Sequence, residues 1–271
     1  MRVAVIGVGS IGRYLIEGIH AGLAGRARVV GIADIPGTEP RLHELAAKVG
    51  CPSTTDALQL VAEKPDLVVE AASQAAVRQY AVALLEAGVD ILLMSVGALA
   101  DPSLMERIAR AAEEHGRRVH LPSGAIGGLD VLRAARVDRL DEVTLVTSKP
   151  PRALAGAPFF DTHPIDLAAI KARTVIYEGP AAEAVRLFPA NVNVAAALSL
   201  AGIGAERTRM QVVADPALDR NVHEVVARGS FGELTLRLAN VPSPTNPKTS
   251  FLACLSGLAT LRRLADPIQI G

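Results

Sequence analysis

Arg2-Val3-Ala4-Val5-Ile6-Gly7-Val8-Gly9-Ser10-Ile11-Gly12 is the stretch whose reading decides the fold. A short apolar run, Arg2 to Ile6, ends on glycine, and G-x-G-x-x-G then opens a segment with helical periodicity, Ile11 to Leu23. A second apolar strand, Val29 to Ala33, ends on an acid, Asp34. Strand, glycine turn, helix and an acid about 20 residues on are the fingerprint of a dinucleotide-binding βαβ unit. Each part has a physical task. Gly7 permits the tight turn, Gly9 lets the backbone approach a pyrophosphate, and Gly12 lets the helix pack closely on the sheet. Ser10 and Ile11 stand where free N–H groups at a positive helix end would receive the phosphates. Asp34 would accept from the adenosine ribose hydroxyls. It favours NAD over NADP, because a 2′-phosphate would meet a carboxylate and no arginine directly follows.

The alternation of strand and helix continues outward from there. A helix is expected near Arg41 to Val49, a strand over Leu67 to Glu70, and a helix over Ala75 to Ala87. A strand over Asp90 to Met94, a helix over Ser103 to His115 and a strand at Val119 to Leu121 follow. Near-continuous Val/Ile/Leu strands between amphipathic helices signal a parallel sheet covered on both faces. Further cofactor contacts belong at the carboxyl ends of these strands. Ala72 and Ser73 lie at one such end, where small residues leave room for a ribose. Ser95 to Ala98 and Ser123 to Ala125 lie at the next two. Each alone also reads as an ordinary loop with serine as a helix N-cap.

The pattern changes after Pro122. Glu142 to Ser148, Gln211 to Ala214, Val222 to Arg228 and Leu234 to Leu238 alternate in polarity, as strands with two unlike faces do. Pro150 to Pro164 reads as a loop, Asn191 to Ala201 as an Ala-rich helix and Leu252 to Leu264 as a last helix. Asn240 to Thr249 reads as a turn that sends the chain back to the first domain. The expected fold is α/β: a Rossmann doubly wound parallel sheet plus a second α/β domain with a mixed, largely antiparallel sheet. Residues 1–122 form the dinucleotide-binding domain, 123–245 the catalytic and dimerisation domain, and 246–271 pack back on the first.

Bulk composition narrows the class. The 271 residues are 50% hydrophobic and carry 28 basic against 28 acidic side chains. A net charge of zero excludes an electrostatic binder of nucleic acid. Cys51 and Cys254 stand far apart, without disulfide-framework or metal-ligand spacing, which points to a reducing compartment and no metal. Met1 leads straight into a strand with no signal peptide, and no apolar run is long enough to span a membrane. A cytoplasmic protein is expected.

Four further segments carry a resemblance. They are Ser123-Gly124-Ala125-Ile126-Gly127-Gly128-Leu129-Asp130; Phe188-Pro189-Ala190-Asn191-Val192-Asn193-Val194-Ala195-Ala196; Ala214-Asp215-Pro216 through Asn221-Val222-His223-Glu224; and Asn240-Val241-Pro242-Ser243-Pro244 through Asn246-Pro247-Lys248-Thr249. With the fingerprint, they resemble the L-aspartate dehydrogenase family over nearly the whole chain. The resemblance implies NAD(P)-dependent oxidation of L-aspartate to iminoaspartate. That product hydrolyses to oxaloacetate and ammonia or feeds NAD synthesis, and the reverse reaction is reductive amination of oxaloacetate. It implies that His223 is catalytic, that Ala125 and Asn193 contact the nicotinamide side of the cofactor, and that the protein is a homodimer.

The residue types suit that chemistry. A histidine titrating near neutrality can take the amine proton or activate the water that attacks the imine. From the residues alone, His223 shares strand parity with Val225 and Ala227 and reads equally as a core histidine. Asn191 reads as an N-cap, and Asn193 as a helix-start residue or a cofactor contact. Two substrate carboxylates call for cations, and His163, Lys149 and Lys248 are loop candidates that read equally as surface charges. The rival enzyme readings are a sugar or inositol dehydrogenase and a dihydrodipicolinate reductase. The first expects Glu-Lys-Pro after the fifth strand, where Met94-Ser95-Val96-Gly97 stands. A non-catalytic NAD(H) redox sensor is the alternative outside enzymes.

Overall fold

The computed structural model describes residues 1–244 and 246–268, without the side chains of Pro247 and Lys248. The expectation for Lys248 as a substrate-facing cation therefore lies outside the described residues. The chain divides into two compact units, Met1–Pro122 with Ala253–Gly271, and Ser123–Leu252. The return to the first unit begins at Ala253, and residues 246–252 group with the second.

In the first unit, β1 (Arg2–Ile6), β2 (Arg28–Ala33), β3 (Ser53–Thr54), β4 (Leu67–Glu70), β5 (Asp90–Leu93) and β6 (Val119–His120) form one sheet. Its order is β3-β2-β1-β4-β5-β6 and every pairing is parallel. The helices α1 (Ser10–His20), α2 (Glu39–Val49), α3 (Gln74–Glu86) and α4 (Pro102–Glu114) connect the strands. The central strands β1, β4 and β5 are buried along nearly their whole length, which is why they read as unbroken apolar runs. The polar punctuation fixes the helix starts. Asp101 accepts from the N–H groups of Ser103 and Leu104 ahead of α4, and Pro102 fills the first position, where no N–H is needed.

The second unit contains α5 (Leu129–Ala135), β7 (Leu140–Lys149), α6 (Phe159–Thr162), β8 (Thr174–Pro180), α7 (Ala181–Leu187), α8 (Val192–Ala201), β9 (Arg209–Ala214), β10 (Asn221–Gly229) and β11 (Gly232–Asn240). Its sheet runs β11-β10-β7-β9-β8. Only β7 and β9 are parallel, and the other pairs are antiparallel. The sheet is thus mixed and largely antiparallel. Two features go beyond the sequence expectation. The edge strand β8 and the helix α7 fill the gap between the expected loop and the Ala-rich helix. Where a plain turn was expected, β12 (Pro242–Ser243) and β13 (Asn246–Ser250) pair as a short antiparallel ribbon before α9 (Phe251–Ala265). From Ala253 on, α9 belongs to the first unit, where Leu258 and Leu261 join Leu15, Ile16, Ile19 and Met94 in one core.

No helix among the described residues is long and apolar enough to cross a membrane.

Candidate active site

The glycine turn of the first unit is shaped by contacts no other residue would allow. Gly7 has φ +99°, and a Cβ there would sit 2.6 Å from the carbonyl oxygen of Ala71. A Cβ on Gly12 would lie 1.9 Å from the carbonyl oxygen of Gly7. The start of α1 is thereby pulled onto the end of β1. Gly9 behaves differently: a Cβ there would meet nothing within 4 Å. Ser10 and Ile11 begin α1 directly after it, and no side chain caps the helix from Gly9. An open, uncapped helix N-terminus behind a glycine turn fits the pyrophosphate of a dinucleotide.

Asp34 stands beside this turn. Its Oδ2 accepts from the Val8 N–H at 2.9 Å and its Oδ1 from the Ile35 N–H at 2.8 Å. No arginine directly follows Asp34 in the sequence, but Arg41 reaches it in the fold. The first turns of α2 bring its Nη2 to 3.3 Å from Oδ2.

Glu70 is the residue here that the sequence did not single out. Its side chain ends β4 at 3% exposure. Its Oε1 accepts from the N–H groups of Ala72 and Ser73, both at 2.8 Å, and from the Ser95 hydroxyl at 3.0 Å. Its Oε2 accepts from the Ser95 N–H at 3.0 Å. One carboxylate thus ties together the loops after β4 and β5, two of the three strand-end loops with expected cofactor contacts. Burial pushes its pKa up, and the four donors pull it back. The Ser73 Oγ also accepts from the Ala76 N–H and caps α3, so this serine serves the helix whatever else it meets.

In the second unit the deciding feature is register. His223 in β10 lies opposite Thr147 in β7. Thr147 and Lys149 are two residues apart in β7, so both side chains share the His223 face. Thr147 Oγ1 is 3.1 Å from His223 Nδ1. The three are almost wholly enclosed: Thr147 is 0%, His223 4% and Lys149 5% exposed. Farther along the same face run Val143 and Leu145, Val225 and Ala227, and Met210 and Val212, all buried. The face is apolar at one end and polar at the other.

Electrostatics follow from this enclosure. Burial, with the nearby Lys149 charge adding to it, pushes His223 down to about 4. Burial pushes Lys149 down to about 8. His223 is therefore a neutral imidazole at neutral pH, and Lys149 is an ammonium. Lys149 had been expected in a loop. It is instead the last residue of β7, paired in register with Ala214.

The loop that carries Ala125 and the helix that carries Asn193 both pack on this face of the sheet. The loop before α5 lies on β11: a Cβ on Gly127 would sit 3.2 Å from Leu236 Cδ2, and the Leu238 side chain is close by. Leu238 pairs in register with His223 and shares its face. The buried Asn240 pins the loop by donating from Nδ2 to the Ala125 carbonyl at 2.9 Å. Asn193 is in the first turn of α8, whose C-terminal Gly202 abuts Val143 on that face. Asn191 occupies the N-cap position of α8 but makes no capping bond with its side chain. His163 stacks on Phe159, with ring centres 4.3 Å apart, inside an aromatic group with Phe188 and Tyr177. Among the described residues, no three His, Cys, Asp or Glu side chains converge as a metal site.

Comparison with known proteins matches both units. A family model described as the C-terminal part of aspartate dehydrogenase matches residues 130–264. One described as the NAD-binding domain of homoserine dehydrogenase matches residues 7–122. The chain is 46% identical to an L-aspartate dehydrogenase of Methanosarcina barkeri, covering 100% of this chain and 99% of that protein. It is 41% identical to one of Cupriavidus necator, with 100% of both covered. The crystal structure of aspartate dehydrogenase from Thermotoga maritima superimposes with a TM-score of 0.77 at 32% identity, over 100% of this chain and 99% of that one. Fold, fingerprint and full-length similarity agree, and the chain belongs to the L-aspartate dehydrogenase family.

Proposed function

We infer that the chain oxidises L-aspartate at Cα with NAD(P), giving iminoaspartate, which water converts to oxaloacetate and ammonia. The reaction also runs in reverse as reductive amination. The observation that carries the reading is the buried row of Thr147, His223 and Lys149 on a sheet within the matched aspartate dehydrogenase range.

Gly7, Gly9, Ser10, Ile11 and Gly12 hold the pyrophosphate, and Asp34, Ala72 and Ser73 the riboses. Ala125 and Asn193 face the nicotinamide side. When bound, the nicotinamide supplies the acceptor for the hydride that leaves Cα. The chain's own residues orient the amine and handle its proton. If Nδ1–H of His223 is donated to Thr147, the Nε2 lone pair is left to take a proton from the ammonium or from attacking water. Asp34 makes NAD the preferred cofactor, and Arg41 beside it leaves NADP usable. The enzyme works as a cytoplasmic homodimer, as the family reading implies.

The test is spectrophotometric. Purified protein with NAD and L-aspartate at alkaline pH should generate NADH, whereas glutamate, alanine and malate should not. His223→Ala should lower turnover about a hundredfold or more. No turnover on aspartate in either direction, with either cofactor, would overturn the reading.

A further inference from the structure

Lys149 has a role still to be accounted for. Buried ammonium groups are costly and are normally paired with a carboxylate. No ion pair or side-chain hydrogen bond of Lys149 is made among the described residues. The ion pairs among the described residues lie elsewhere, several of them joining exposed arginines to exposed acids. Burial alone accounts for the lowered pKa of Lys149, and the neighbouring His223 is neutral at working pH and would repel Lys149 if protonated. The walls of this face, Leu145, Val212 and Val225, exclude water and keep any Coulomb interaction there strong.

We propose that Lys149 is the carboxylate anchor of this site, its ammonium receiving one of the two carboxylates of the dicarboxylate substrate beside His223. The assignment rests on the aspartate reading above and names the residue that recognises the acid. It explains why an unpaired cation survives on a buried strand: its counter-ion arrives with the substrate. It also links binding to proton transfer. Burial is the larger cause of the lowered His223 pKa and the Lys149 charge adds to it, so a carboxylate on Lys149 offsets that added part. His223 is then a somewhat stronger base with substrate bound than without it.

The probe is succinate, which keeps both carboxylates and lacks the amine. Its binding to the NADH-loaded protein is followed by calorimetry, and aspartate kinetics are measured alongside. Lys149→Met matches the unbranched stem of the side chain and removes the terminal ammonium. The variant should bind succinate about thirtyfold more weakly or worse, and its KM for aspartate should rise in parallel. Its kcat should change by less than about tenfold, and its NADH affinity should be that of the parent, which controls for folding. Succinate affinity within about threefold of the parent would overturn the anchor. So would a variant whose kcat collapses while KM holds, because Lys149 would then be moving a proton. If the parent protein binds succinate through Lys149 but never turns over aspartate, the anchor stands and the aspartate reading falls.

Discussion

Replacing Lys149 by methionine should make the free protein more stable. Burial lowers the pKa of Lys149 from 10.5 to about 8. Above pH 10.5 neither the folded nor the unfolded chain protonates this amine, and it has no charge-related effect on stability. As pH falls from 10.5 to about 8, the unfolded chain takes up a proton that the folded chain refuses. Folded stability then drops by about 1.4 kcal/mol per pH unit. Below about pH 8 both states are protonated and the deficit stays constant at about 3 kcal/mol. Lys149→Met removes that deficit. In a protein of this size about 3 kcal/mol corresponds to about 6–12 °C in Tm. The assay is thermal melting of ligand-free protein, followed by circular dichroism at pH 7, 9 and 10.5. The variant should melt higher at pH 7, and the gap should close toward pH 10.5. A variant that melts at or below the parent at pH 7, or a gap that ignores pH, would refute the reasoning.

Three other outcomes follow from the same geometry. Thr147→Val keeps the shape of the side chain but leaves Nδ1 of His223 without its partner. Stability should fall by about 1–3 kcal/mol and kcat/KM by about tenfold or more, and unchanged kinetics would show that Thr147 does not orient the ring. Gly12→Ala drives a Cβ into the Gly7 carbonyl, so NADH titrated by fluorescence should bind at least about tenfold more weakly; parental affinity would remove the turn from the cofactor site. Glu70→Gln sets an amide NH2 against donors from Ala72, Ser73 and Ser95. It should lower the Tm and weaken NADH binding together, and a loss of stability alone would confine Glu70 to the fold.

The parts of this structure legible in the sequence are those encoded locally. Gly7 and Gly12 announce themselves because only glycine tolerates the backbone approach their turn requires, and Gly9 completes the spacing. The alternation in Glu142 to Ser148 and Val222 to Arg228 fixes which side chains share a face, and it placed His223 on an apolar one. What stayed hidden depends on distant pairing. Lys149 looked like a loop residue because the alternating run seemed to stop at Ser148. Its pairing with Ala214, sixty-odd residues away, extends β7 by one position and buries the lysine. Glu70 looked like an ordinary strand end, because its four donors, from Ala72, Ser73 and Ser95, come from turns whose course the sequence does not specify. Arg41 reaches Asp34 only through the helical turn between them. The strand β8 was missed because an edge strand with an exposed outer face lacks a strong apolar pattern.

The split composition of the first unit has a consequence for how the chain is made. Residues 1–122 leave the ribosome first, yet Leu258 and Leu261, which close their core over Leu15, Ile16 and Ile19, follow only after the whole second unit. With roughly 130 residues in between, synthesis at about 5–20 residues per second leaves that apolar stripe bare for about 7–26 seconds. A nascent βαβ sheet with an open flank is a natural client for chaperones. Changes in α9, far along the chain from the glycine turn, should therefore show first as lost soluble yield during expression.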